Sequence, residues 1–305
     1  MVMPQKPLLI VVAGPTASGK TNVAIQLAKH FSAEILSADS RQIYKELSIG
    51  TAKPTVAELS QAHHFFINHI SIHQSYDVGK YRQEVMFVLE RTFKFKNIAV
   101  MVGGTGLYIR AVCNGLDEFP PIEKSVSDFV RQNFEQHGIA WLQTELKKLD
   151  KRYFEQVDVN NPMRLIRALE VCLSSEKPFS SFHQQPKNEL PFDVIKIGLQ
   201  LPRAELYERI NERVLQMMQH GLEEEARKYF HNRALQALQT VGYTEMFDFF
   251  DGKITKETAI KLIQQNTRHY AKRQMTWLNK EPDLLGMDAH NVAAIIQFIE
   301  TKIKN

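Results

Sequence analysis

The sequence predicts an α/β protein: a P-loop parallel sheet flanked by helices, interrupted by a mostly helical inserted domain. Three observations carry this. An apolar run, Leu8–Val12, leads directly into Gly14-Pro15-Thr16-Ala17-Ser18-Gly19-Lys20-Thr21, a full match to the phosphate-cradling pattern GxxxxGK[ST] in a strand–loop–helix context. Up to about residue 115, strand-like and helix-like stretches alternate. From Phe119-Pro120-Pro121 the pattern becomes helical and strongly charged, and an apolar strand pattern then returns at Val194–Leu201.

In order along the chain, Leu8–Val12 reads as a strand, Thr21–His30 as a helix, Ala33–Ser37 as a strand, Tyr81–Phe93 as an amphipathic helix and Ile98–Val102 as a buried strand. Such alternation predicts a parallel sheet with ligands at the carboxyl ends of its strands. Helical spacing marks Val126–His137, Ile139–Leu149 and Pro162–Ser174, and a Pro/Gln/Ser-rich connection, Lys177–Pro191, closes that region. The expected division is a catalytic core of residues 1–119 and 190–305 around an insertion of 120–189. After the Val194–Leu201 strand the remainder reads as helical. Ala204–Phe230 carries Leu206, Ile210, Val214, Met217 and Met218 at helical spacing, and Thr255–Leu278 is a second long helix. The two methionines read as core.

Composition narrows the class without naming a partner. With 305 residues, 44% hydrophobic and 24% charged, the chain has the make-up of an ordinary globular protein. A net charge of +4 is too mild to indicate a ligand. Cys113 and Cys172 have no metal or redox spacing and fit a reducing cytoplasm. The first apolar run is too short for a signal peptide, and no run approaches the ~20 residues of a membrane span. A cytoplasmic protein without membrane association is expected, and a monomer.

In the first loop, Gly14 and Gly19 allow the tight turn that aims backbone N–H groups at an anion, and the helix starting near Lys20 adds the positive end of its dipole. Lys20 supplies a cation, and the Thr21 hydroxyl is placed to help hold magnesium. A nucleotide hydrolase or kinase usually brings an acidic residue on a second strand end. Here Ile98–Val102 ends in Gly103-Gly104-Thr105-Gly106, which can wrap a ligand but binds metal poorly. The nearest well-placed carboxylate is Asp39, read either as a turn or N-cap aspartate or as a base or metal organiser facing the phosphates.

Together with the phosphate loop, the blocks Ser37–Tyr44, Gly50–Pro54, Val102–Tyr108, Asn161–Glu170, Leu206–Val214, Val241–Tyr243 and Thr267–Trp277 resemble, in order and over almost the whole chain, the bacterial tRNA dimethylallyltransferases. The resemblance implies transfer of a dimethylallyl group from dimethylallyl diphosphate to the exocyclic N6 amine of the adenine 3′ to the anticodon, with Mg2+ as cofactor and the tRNA anticodon stem-loop as partner. By matching position, Asp39 is the base, and Thr105 lines the channel between amine and allyl carbon. Lys20 and Arg213, with the loop Gly14, Pro15, Thr16, Ala17, Ser18, Gly19, Lys20 and Thr21, stabilise the leaving diphosphate. The resemblance also implies tRNA contacts on Asp39, Ser40, Arg41 and Gln42, on Thr105 and Ser127, on Met163, Arg164, Leu165, Ile166 and Arg167, and on Gln239, Thr240, Val241, Gly242, Tyr243 and Thr244. The target base is expected to leave its stack to reach the site.

Three departures from the family pattern concern the grip on RNA. Thr244 stands where relatives commonly carry a basic residue, Ser127 lies where many have an arginine (the nearest is Arg131), and Ala62–Asn68 replaces a Pro-His-His-Leu-Ile-Asp string. His63, His64, His69 and His73 fit no common zinc spacing. Arg164 with Arg167, and Arg268 with Lys272 and Arg273, form basic helical faces that on spacing alone read as solvated surface. Two alternatives remain open: a prenyltransferase acting on a free adenine nucleotide, and a P-loop small-molecule kinase or a non-catalytic RNA-binding protein that kept the loop.

Overall fold

The computed structural model describes residues 6–184 and 189–304. The chain divides into two compact units, one formed by the residues up to Cys113 and from Leu190 onward, the other by Asn114–Glu189. Residues 185–188 of the expected Lys177–Pro191 connection lie outside the described residues; just before them Phe179–Gln184 forms a 3-10 helix.

In the first unit the order is β1 (Leu8–Ala13), α1 (Lys20–His30), β2 (Glu34–Ser37), α2 (Val56–Leu59), β3 (His64–Phe65), α3 (Val78–Thr92), β4 (Ile98–Gly103) and α4 (Gly106–Asn114). The second unit carries α5 (Lys124–His137), α6 (Ile139–Leu149), α7 (Lys151–Phe154) and α8 (Pro162–Ser175). The first resumes with β5 (Asp193–Gln200), α9 (Arg203–Gln219), α10 (Leu222–Lys228), α11 (Tyr243–Phe250), α12 (Lys256–Leu278), β6 (Leu284–Asp288) and α13 (Val292–Lys304).

The six strands form one sheet in the order β3-β2-β4-β1-β5-β6, and every pairing is parallel. Side chains alternate across a strand, so each central strand feeds two cores. Leu9, Val11, Leu36 and Met101 pack on one face with Tyr81, Val85 and Leu89 of α3 and Ile109 of α4. Ile10, Val12, Ile35 and Val100 pack on the other with Val23, Ala24 and Leu27 of α1 and Ile295 and Ile299 of α13. A third core joins Ile43 and Leu47 to Val214, Leu222, Met246 and Ile263, with Met217 and Met218 packed against it. The second unit has its own core of Val130, Leu142, Leu146, Leu165 and Leu169. Among the described residues no helix is long and apolar enough to cross a membrane.

The structure departs from the expected elements at three places. The helical pattern over Ala204–Phe230 is broken into α9 and α10 at Gly221, whose φ of 96° belongs to the left-handed region. The apolar spacing continues through the break, which is why it reads as one helix. The two-residue β3 is too short to carry a pattern. The edge strand β6 replaces part of an expected helical stretch; only Leu284 and Met287 of it pack on a core. A buried ion pair marks its approach, Lys196 Nζ on β5 to Glu281 Oε1 at 2.7 Å, with Arg110 Nη2 on the other oxygen at 3.2 Å. Isolated buried charge is costly, so the three groups are retained as a set.

The carboxyl ends of β2, β4 and β1 lie side by side, and their spacing is closer than a side chain allows. A Cβ on Gly103 would stand 2.1 Å from the Ala38 carbonyl oxygen. Gly103→Ala therefore forces the end of β2 away from β4, and we expect a loss of about 1–3 kcal/mol, read as a lowered urea midpoint at unchanged slope.

Candidate active site

The phosphate loop spans the gap from β1 to α1. Gly19, at φ 83°, ends it in the left-handed conformation, and Ala17 shares that region at 64°. The first-turn amides of α1 have no acceptor within the helix, which suits them to an anion. Other polar groups of the loop are committed to protein. Pro15 has no N–H, and its carbonyl accepts Lys20 Nζ at 2.6 Å. The Thr16 N–H donates to Gln274 Oε1 at 2.8 Å, and Ser18 N–H to the Pro15 carbonyl at 3.3 Å. Three loop positions therefore offer no free amide to a ligand: Pro15, which has none, Thr16 and Ser18.

Burial lowers the Lys20 ammonium from 10.5 to about 7, helped by repulsion from Arg213 and opposed by Asp39. Arg213 is likewise lowered by burial and stays charged; its Nη1 lies 3.5 Å from Thr16 Oγ1. One turn earlier on α9, Arg209 reaches within 3.8 Å of a Cβ built on Gly19 and pairs with Glu205 at 2.8 Å. Glu205 also meets His290 at 2.9 Å. Arg209 lines a cleft of about 410 Å³ with Gly19, Asn22 and His290. The sequence reading missed it, although its i, i+4 spacing from Arg213 was visible.

Asp39 sits just past β2. Its Oδ1 accepts from the Arg41 N–H at 2.8 Å and the Gln42 N–H at 3.2 Å, a turn that fixes the carboxylate plane. The turn role and the site role coexist, because both bonds use one oxygen. Thr105, past β4, is tied to the same segment. Its N–H donates to the Ala38 carbonyl at 3.1 Å, and its Oγ1 accepts from the Ser40 N–H at 3.0 Å. Tyr270 of α12 meets the Thr105 side chain, and burial, with Asp39 nearby, raises its hydroxyl above the usual range.

The glycines of 103–106 make room for the chain itself. A Cβ on Gly104 would fall 2.1 Å from Gln274 Nε2, and one on Gly106 2.2 Å from the Trp277 ring. Sequence reading treated this stretch as a ligand wrap; its closeness is explained by α12 packing onto it.

Two of the expected RNA-contacting segments are joined directly. The Arg41 guanidinium donates to the carbonyls of Gln236 at 3.0 Å, Ala237 at 3.4 Å and Gln239 at 3.4 Å. Gln42 Nε2 donates to the carbonyls of Thr51 and Ala52 at 3.2 and 3.0 Å. Gln239 is exposed, with Thr240, Val241 and Thr244 partly so, whereas Gly242 and Tyr243 are buried. Tyr243 donates its hydroxyl to Glu225 at 2.6 Å, and the same carboxylate accepts from the N–H groups of Ser48, Ile49 and Gly50. In the second unit Met163, Arg164 and Arg167 are exposed, Leu165 and Ile166 are core, and Ser127 donates to Glu170. Arg167 lies over the Phe119 ring at 5.4 Å. The tRNA contacts expected of Leu165, Ile166 and Tyr243 do not come from their side chains, which lie in the cores, and Gly242 is buried as well.

Among the described residues no group of three His, Cys, Asp or Glu could hold a metal ion. A cation here would take Thr21 and otherwise oxygens of the ligand and water, a mode that suits magnesium with phosphates.

The family model for IPP transferase matches residues 42–281. The tRNA dimethylallyltransferase of Christiangramia forsetii is 49% identical over 296 residues, covering 97% of this chain and 98% of that protein. That of Cytophaga hutchinsonii is 43% identical, with 97% of each covered. Among solved structures, the full-length tRNA isopentenylpyrophosphate transferase of Bacillus halodurans is similar with a TM-score of 0.74 at 32% identity, covering 98% of this chain and 97% of that one. A eukaryotic dimethylallyltransferase described as acting on tRNA has a TM-score of 0.80 at 25% identity, covering 93% and 74%.

The lowered Lys20 gives a pH prediction. With a value of about 7 in the free protein, roughly nine-tenths of Lys20 is charged at pH 6 and one-tenth at pH 8. A bound anion restores the charge. Binding of inorganic diphosphate should therefore weaken by about tenfold between these pH values, beyond any change seen with Lys20→Met, and take up a proton at pH 8. Titration calorimetry in buffers of different ionisation enthalpy reads both.

Proposed function

The chain belongs to the IPP transferase family, and from that premise we propose that it transfers a dimethylallyl group from dimethylallyl diphosphate to the N6 amine of the adenine 3′ to a tRNA anticodon, releasing diphosphate. The observation that carries this reading is the adjacency of three strand ends. β1 offers the phosphate loop, β4 offers Thr105, and β2 offers Asp39, with no acidic residue at the end of β4.

The adenine amine is a poor nucleophile because its lone pair is delocalised into the ring. In the proposed step N6 bonds to the allylic carbon, the bond from that carbon to the diphosphate oxygen breaks, and the N6 proton passes to Asp39. The hydrogen bonds on Oδ1 hold the carboxylate in plane and leave Oδ2 to take the proton. Thr105, fixed by Ser40, lies beside the base. Negative charge gathers on the leaving diphosphate, and Lys20, Arg213 and the α1 amides would stabilise it. Magnesium, when bound with the diphosphate and Thr21, would neutralise the same charge.

We propose tRNA contacts in each unit separately: Arg41, Gln42, Gln239 and Thr244 in the first, and Met163, Arg164 and Arg167 on α8 in the second. The exposed arginines of α8 favour an RNA acceptor over a free nucleotide, which needs no such surface. The reaction belongs in the cytoplasm, where anticodon loops are found.

Incubation with magnesium, dimethylallyl diphosphate and either an anticodon stem-loop or AMP should give a mass gain on the RNA adenine. Transfer to AMP with none to RNA would overturn the assignment. Asp39→Asn keeps an acceptor for the turn while removing the base. Its single-turnover rate should fall by about 10²–10⁴-fold with RNA affinity within about threefold; a large loss of RNA binding would instead make Asp39 a base-positioning group.

A further inference from the structure

The α12 helix runs along the loop after β4 with three successive contacts. Tyr270 meets Thr105, Gln274 meets Gly104, and Trp277 meets Gly106. The middle contact reaches further than the others. Gln274 Nε2 donates to the Gly104 carbonyl at 3.0 Å while its Oε1 accepts from the Thr16 N–H of the phosphate loop at 2.8 Å. The two loops touch at this point, since a Cβ on Gly104 would stand 3.3 Å from the Gly14 carbonyl oxygen. Gln274 is 7% exposed, so an unpaired amide here would be costly.

We propose that Gln274 is a positioning residue that sets the separation between the phosphate loop and the Thr105 loop, and so between leaving group and acceptor amine. The proposal rests on the assignment of those loops to donor and acceptor above. One group must donate from one atom and accept at another, which an amide does without titrating. The line of contacts is continuous: Thr16 to Gln274, Gln274 to Gly104, and Thr105 to Ser40 beside Asp39. Each substrate rests mainly on one end of that line. Binding of either substrate alone therefore survives the loss of Gln274, while the reaction, which needs both ends at fixed separation, does not. Misplacement by about 1 Å costs on the order of a hundredfold in rate.

Two variants test this. Gln274→Leu removes both bonds at similar size. At saturating donor and RNA its single-turnover rate should fall about 10–100-fold, with both dissociation constants within about threefold. A rate within twofold of wild type, or a loss explained by the unfolded fraction, overturns the proposal.

Gln274→Glu keeps the acceptor for Thr16 but turns a carboxylate oxygen toward the Gly104 carbonyl. Protonation restores a donor, and burial brings that protonation into the accessible range. With Lys20→Met in both proteins, so that Lys20 does not titrate, the ratio of the Gln274→Glu rate to that of the protein with Gln274 should rise several-fold from pH 8.5 to pH 6. A flat ratio overturns the proposal, since a packing role is indifferent to that proton.

Amide hydrogen exchange separates this proposal from the functional assignment. In the free protein the Thr16 amide should exchange faster in Gln274→Leu whether or not transfer occurs. Unchanged exchange overturns the coupling, whereas inactive wild-type protein with faster exchange in the variant overturns the assigned reaction instead.

Discussion

The closeness of the β2 and β4 ends is the constraint on which the rest of the site depends. Parallel neighbours lie about 4.7–4.9 Å apart, and past Gly103 the chain comes closer still, with the Ala38 carbonyl in the space a side chain would occupy. That carbonyl also accepts the Thr105 N–H, so the same contact that excludes a side chain places Thr105 beside Ser40 and Asp39. A carboxylate at Gly103, where many phosphate-loop enzymes hold magnesium, has no room. In the proposed reaction the acidic group is instead Asp39, which follows β2, the strand paired with β4.

Around the phosphate loop the opposite economy holds. Lys20, Arg213 and Arg209 converge on a few residues; burial works against the charges of Lys20 and Arg213, and Arg213 further disfavours that of Lys20. Glu205 engages Arg209, and in this state Lys20 folds back on Pro15. An arrangement of this kind is unfavourable until several negative charges arrive, and most favourable as negative charge accumulates on a departing group. Helices α1 and α9 hold the backbones of the three cations, while Lys20 and Arg209 exchange their present partners for the anion.

The phosphate loop was legible because its pattern, its preceding strand and its following helix all lie within one short stretch. Asp39 was legible only as a carboxylate after a strand, and its placement next to Thr105 needed the strand order. Gly103, Gly104 and Gly106 showed their residue type but not their reason, which is packing against Ala38, Gln274 and Trp277 from distant parts of the chain. Gln274 and the Arg41 clamp were invisible for the same cause: each links segments more than 190 residues apart. The β6 strand was missed because it is an edge strand with little buried surface, and Gly221 because one residue in a regular apolar pattern carries little weight.

The buried members of the family-matched blocks show what such blocks mean physically. A helix turns 100° per residue, so five consecutive positions, Met163 to Arg167, cannot all face one partner. The structure divides them: Met163, Arg164 and Arg167 point outward, while Leu165 and Ile166 join Val130 and Leu142 in the core. Tyr243 divides the roles differently. Its hydroxyl shares Glu225 with the amides of residues 48–50, and its ring fills the space beside Gly50. It fixes the loop from which Thr51 and Ala52 hold Gln42, next to Asp39. A residue can therefore recur with the site without touching a substrate, because the surface that does the touching is only as well placed as the core beneath it.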